Sequence, residues 1–161
     1  MKFNGEAENK SIEHLNPKRR EVQWKYADGV LTVYGDGPMP NYKRGEPVPW
    51  KSWKPMIRRI SIEAGITKIG ARAFSMCEAL ENVYLADTVL SIGFEAFKGC
   101  CKLKEVSAKK EFKHRYENSV KDKEQYILIS MQAFRNTSWM KENFGVFYIY
   151  DNILNIWGKL K

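Results

Sequence analysis

The sequence predicts an α/β, β-rich fold: a short solenoid of ~23-residue repeats with a β-hairpin cap at each end. Three observations carry this reading. First, Ile69-Gly70-Ala71-Arg72-Ala73-Phe74-Ser75-Met76-Cys77-Glu78-Ala79-Leu80 returns as Ile92-Gly93-Phe94-Glu95-Ala96-Phe97-Lys98-Gly99-Cys100-Cys101-Lys102-Leu103, with Ile, Gly, Ala, Phe, Cys and Leu at a constant step of 23. A fixed period of this size marks units that bury their apolar side only by stacking on neighbours. Second, the short β-branched runs around Ile60, Val83 and Val106 keep the same step. Third, the stretches flanking the array are strand-like but do not repeat, as the ends of a stacked core require.

At 161 residues, 43% of them hydrophobic, the chain has the size and the apolar content for one folded domain with a core. Its formal net charge of +8 favours solubility and loose attraction to anionic surfaces, and does not bear on fold. Three cysteines, Cys77, Cys100 and Cys101, give no even disulfide framework. No run approaches the roughly 20 apolar residues of a membrane-spanning helix, so no membrane span is expected. The first ten residues contain no apolar core of a secretory signal, which keeps a cytoplasmic location open beside export with a leader removed.

Residues 1–20 are polar, lack apolar periodicity and end in Pro17-Lys18-Arg19-Arg20, and they read as a flexible tail with a solvated charge run. An N-terminal cap is expected over 21–59. In it Val22, Trp24 and Tyr26 alternate with polar residues, Asp28-Gly29 turns the chain, and Val30-Leu31-Thr32-Val33-Tyr34 returns, which makes a β-hairpin. Gly35-Asp36-Gly37-Pro38 opens a loop to Pro49. Trp50, Trp53, Met56 and Ile57 then share one helical face, with Pro55 limiting the helix to a short or kinked one. That stripe is expected to close the open end of the core.

The repeat region is expected over 60–142. Ile60-Ser61-Ile62, Val83-Tyr84-Leu85 and Val106-Ser107-Ala108 should stack in register, with a second ladder from Ile66 to Val89. Between them Ala73-Phe74 and Ala96-Phe97 fill the interior, each phenylalanine contributing roughly 1.5–3 kcal/mol by burial. A third Ala133-Phe134 turn follows Tyr126-Ile127-Leu128-Ile129, but Ile92 to Ile129 is 37 residues, so 14 are inserted. The surplus falls at 109–125, is strongly charged, and reads as a surface loop. Thr137 and Met140 stand at the cysteine and leucine positions of this third turn. Over 143–161, Gly145-Val146-Phe147-Tyr148-Ile149-Tyr150, Asp151-Asn152 and Ile153–Gly158 read as a terminal hairpin cap.

With these residues placed, the chain resembles the BspA-type leucine-rich repeat family, whose unit runs roughly Ile-Gly-x-x-Ala-Phe-x-x-Cys-x-x-Leu-x-x-Val-x-Ile-Pro. Two repeats match well and two in part, and the resemblance extends over about residues 22–158. Ala86-Asp87 departs from it, standing where the family has Pro-Asp or Pro-Ser, as does the insertion. The resemblance implies a right-handed leucine-rich-repeat solenoid. It also implies a secreted or surface-displayed microbial protein that acts in adhesion to host proteins or other cells.

Chemistry has little to work with. His14 and His114 lack partners for a triad or a metal site, so no catalytic residue, cofactor or metal is assigned. Cys77 and Cys100 hold one repeated apolar position and read as small core residues. Cys101 breaks the pattern and is the better candidate for a reactive thiol. Binding is better posed. If Ile60 and Ile62 face inward, then Arg59, Ser61 and Glu63 face outward, followed one and two periods on by Asn82, Tyr84 and Ala86, then Glu105, Ser107 and Lys109. This face is the expected recognition surface, and a protein is the expected partner, with a glycan as second choice. Its charges are mixed and only Tyr84 is aromatic, which disfavours nucleic acid. The alternative reading, a basic nucleic-acid-associated or intracellular scaffold protein, rests on the net charge, Lys18-Arg19-Arg20 and Arg58-Arg59. A hydrolase acting on a surface polymer lacks any acid–base constellation.

Overall fold

Strands of three to five residues that alternate inward and outward side chains can be stacked in parallel only if the same face is apolar in each. The computed structural model describes residues 7–8, 20–114, 122–130 and 132–143, and it meets this condition in the strands Arg59–Ile62, Asn82–Leu85 and Glu105–Ser107 of the first of its two sheets. In chain order the strands are β1 (Ala7–Glu8), β2 (Gln23–Ala27), β3 (Val30–Tyr34), β4 (Gly37–Pro38), β5 (Arg59–Ile62) and β6 (Ile66–Ile69). They continue with β7 (Asn82–Leu85), β8 (Ser91–Ile92), β9 (Glu105–Ser107), β10 (Glu111–His114) and β11 (Tyr126–Ile129). Helix is scarce among the described residues: 3-10 turns at Lys51–Met56 and Lys123–Gln125, and α1 (Ser138–Asn143). The fold is therefore a mixed, strand-rich α/β one.

The first sheet runs β1-β2-β3-β5-β7-β9, antiparallel through β1, β2 and β3 and parallel from there on. Asp28 (φ 49°) and Gly29 (φ 82°) make the β2–β3 turn, both with the positive φ that matches strand twist. From β3 the pairing Leu31↔Ile60↔Val83↔Val106 lines up inward residues, with Val33↔Ile62↔Leu85 beside it. The second sheet, β4-β6-β8-β11-β10, is parallel throughout, and it aligns Ile69↔Ile92↔Ile129 despite the inserted residues. Ile66 and Val89 are both fully buried.

Between the sheets the turns stack as well. Phe74 N donates to Ala96 O, Met76 N to Lys98 O and Phe97 N to Ala133 O. The repeated glycines permit this approach: a Cβ on Gly70 would overlap the Pro40 carbonyl, and one on Gly93 would meet Ala71 N at 2.7 Å. Phe74, Phe97 and Phe134 form a column with centroids 5.3 and 5.0 Å apart. Trp50 stacks on one end at 5.3 Å, and Trp139 covers the other at 4.5 Å with its ring tilted by 50°. Trp50 is buried, and its indole N–H donates to Ala73 O. Trp53 is half-buried against Trp24 and Tyr26, while Met56 faces solvent, so the expected helical stripe is realised as a 3-10 turn with Pro55 inside it.

Three stretches differ from expectation or leave it unresolved. Within the 1–20 tail, Ala7 and Glu8 pair with Tyr26 and Lys25, and Arg20 N donates to the Asp36 carboxylate while Asp36 N donates to Arg20 O. The insertion is not all loop: Glu111–His114 form β10 alongside β11, and Phe112 supplies an apolar side chain that meets Trp139 edge-on at 5.2 Å. Thr137 and Met140 are buried at the cysteine and leucine positions. Thr137 also caps α1, its hydroxyl accepting from Met140 N at 3.2 Å. The hairpin expected at 145–158 lies outside the described residues.

Candidate functional site

The strands that bury Ile60, Val83 and Val106 must turn the intervening residues outward. Register then sets which of these are neighbours. Arg59↔Asn82↔Glu105 form one transverse row and Ser61↔Tyr84↔Ser107 the next, so six of the expected residues meet across β5, β7 and β9. Together with Val30, Ile60 and Val83 they line a shallow, open depression of about 360 Å3. Tyr84 is 49% exposed at its centre strand.

The polar groups are arranged unevenly. Glu105 accepts from Asn82 Nδ2 at 2.9 Å and from Ser107 Oγ at 3.1 Å. Both donors are neutral, so the carboxylate is oriented without being charge-compensated. Arg59 makes no ion pair among the described residues. The depression thus carries a cation on one side strand, an anion on the other, and an exposed aromatic ring between them.

The remaining expected residues do not join it. Glu63 lies past the end of β5 and accepts from Ser61 Oγ at 2.8 Å. Lys109 lies past β9 and approaches Asp87 at 3.6 Å, with both side chains well exposed. Ala86 corrects the outward reading: it is 6% exposed. Alternation ends with β7, and Ala86 enters a turn in which its N–H donates to Ile62 O and its carbonyl accepts from Val89 N. Counting missed Val30, which borders the depression from β3. It is 29 residues before Arg59, off the repeat step, and only the β3–β5 pairing brings it alongside.

A second polar cluster lies on the turns. Arg72, Glu95 and Gln132 occupy equivalent places with left-handed backbone, at φ 58°, 54° and 60°. Glu95 accepts from Arg72 Nε at 2.9 Å and from Lys98 Nζ at 3.1 Å. Partial burial pushes its carboxyl upward, but the hydrogen bonds and charges of Lys98 and Arg72 outweigh this and hold it below the ordinary carboxylate value. Arg72 also covers the half-exposed Phe94 ring at 5.1 Å. Every charged group here has a partner, so the cluster reads as a clamp between successive turns.

Cys77 and Cys100 are buried, and Cys100 Sγ donates to Phe74 O at 3.1 Å. Burial first, and then the neighbouring Cys77, push the Cys100 thiol well up, as suits a small core residue. Cys101 is exposed. His14 lies outside the described residues, as does the ring of His114. Among the described residues no three His, Cys, Asp or Glu side chains gather as metal ligands, and no helix is long and apolar enough to cross a membrane.

Comparison with known proteins agrees with this architecture. A family model described as the BspA type leucine rich repeat region matches residues 52–154 in six copies. Among solved structures, the chain is similar to a leucine-rich repeat protein from Eubacterium ventriosum ATCC 27560, with a TM-score of 0.51 and 25% identity. That similarity covers 73% of this chain and 34% of the other, so the chain spans about a third of that structure's length. No protein of curated function matches.

Proposed function

The chain belongs to the BspA-type leucine-rich repeat family, and from that premise we propose that it is a non-enzymatic module binding a protein partner on the outer face of the first sheet. One observation carries the reading: six outward residues from three strands share a single depression that holds two uncompensated opposite charges and an exposed tyrosine. Aromatic and arginine side chains dominate binding energy at protein interfaces, and Tyr84 and Arg59 are of those types. A nucleic-acid track fits less well, because it needs a run of positive charge with several stacking rings.

In this reading the strands wind as a right-handed solenoid with a step of 23, supported by the pairing of Ile60 with Val83 and of Val83 with Val106. The β2–β3 hairpin and Trp50 form the cap at one end of that solenoid. The family's usual setting makes the partner a host or microbial surface protein and the module secreted or surface-displayed. Adhesion is the role that follows.

The test is affinity capture from microbial and host surface-protein fractions with the intact chain. It is run beside a variant carrying Arg59→Ala, Tyr84→Ala and Glu105→Ala. The expected result is a partner retained by the native chain and reduced at least about tenfold on the variant. A partner held equally by both would move the binding surface elsewhere.

A further inference from the structure

The register of the first sheet fixes an order of charges, and that order restricts what the depression accepts. Arg59 and Glu105 stand in the same transverse row with Asn82 between them, two strands apart, or about 10 Å at the usual interstrand spacing. Glu105 is turned to Asn82 and Ser107 instead of Arg59, and neither charge forms an ion pair among the described residues, so each is uncompensated within one depression. Glu105 is pre-oriented: Asn82 and Ser107 each give its oxygens one hydrogen bond, and a carboxylate has about four acceptor positions, so room for a further donor remains. Tyr84, on the strand between them, offers an apolar ring face displaced two residues along.

Resting on the binding role proposed above, we infer that this face recognises an extended protein segment presenting an acidic, an apolar and a basic side chain in that order across the strands. The acidic group meets Arg59, the apolar one covers Tyr84, and the basic one meets Glu105. Charge complementarity argues for this occupant over the others. A polyanion would meet Glu105 head-on, a polycation would meet Arg59, and a wholly apolar segment would strand both charges without partners. Extended chain advances about 6.7 Å per two residues, so the acidic and basic positions fall two to four residues apart.

The probe is a displayed library of random linear nine-residue peptides, selected on the full chain. Enrichment of peptides with opposite charges flanking an apolar or aromatic residue is expected. Arg59→Glu should weaken them about tenfold, and a peptide whose acidic residue is exchanged for a basic one should recover that loss on the Arg59→Glu protein. Because Arg59 and Glu105 are exposed, thermal melting should show the variants folded. Enriched peptides that depend on Tyr84 but have no charge order and ignore Arg59→Glu would overturn the inference and leave the binding face intact. Peptides indifferent to Tyr84→Ala and Arg59→Glu alike would overturn both. Failure to enrich any peptide, with or without binding to a glycan panel, would overturn the segment proposal.

Discussion

On β5, β7 and β9 every second residue points inward and every other one outward, and the two sets differ in kind. Inward, Ile60, Val83 and Val106 are interchangeable aliphatics, as are Ile62 and Leu85. Outward, Arg59, Asn82 and Glu105 share a row and have nothing in common but their place. The same backbone, spacing and solvent boundary apply to both sets, so the difference lies in what each must satisfy. A stacked interior asks every unit for the same shape. An outward face makes no such demand, so each unit can carry a different side chain there, and position in the array converts those differences into a pattern across strands.

The largest expected effect tests this division directly. Phe97 lies mid-column, in contact with Phe74 and Phe134 at 5.3 and 5.0 Å, and is fully buried. Phe97→Ala leaves a cavity between two turns and should cost about 3–5 kcal/mol in denaturant unfolding. Tyr84→Ala, on the neighbouring face, should change stability by no more than about 1 kcal/mol while weakening partner binding. If Tyr84→Ala proved as destabilising as Phe97→Ala, the outer face would be structural.

A middle-sized effect asks where the interior ends. Phe112 comes from the inserted stretch yet meets Trp139 at 5.2 Å, and Trp139 in turn covers Phe134. Phe112→Ala should therefore destabilise by about 1–2 kcal/mol, below a full core deletion because the ring is only half-buried. An unchanged melting temperature would return the whole insertion to the surface.

How much of this could be read from residues alone follows the same division. Interior positions were legible because packing repeats: Phe134 could be aligned with Phe97 across a 37-residue gap, and the rings stack. The outward rows were legible as far as strand alternation lasts, which covers Arg59 to Ser107. Alternation stops at the strand's end, and so counting places Ala86 outward although it is buried. Val30 joins the face through a pairing that no period encodes. Phe112 sat among Glu111, Lys113 and their charged neighbours, where one apolar residue carries no periodic signal. The left-handed backbone of Arg72, Glu95 and Gln132 left no trace either, since glycine, its usual marker, is absent from those places.

The smallest expected effect concerns Glu95, which belongs to neither set: it repeats in position but not in identity. Arg72 and Glu95 are one step of 23 apart, and the stacking of turns brings their opposite charges to 2.9 Å. Because Lys98 and Arg72 hold the carboxyl below its ordinary value, Glu95 binds a proton less readily folded than unfolded. Its contribution is therefore present above the ordinary carboxylate value and fades as pH falls through the lowered one. Glu95→Gln should cost about 1 kcal/mol at neutral pH and make part of the acid-side fall in stability disappear, as followed by melting between about pH 7 and pH 3. Loss of the same size at every pH would mean that Glu95 acts by shape, as interior positions do. A pH-dependent loss would show that a repeat can hold its turns together by alternating charge as well as by repeated shape.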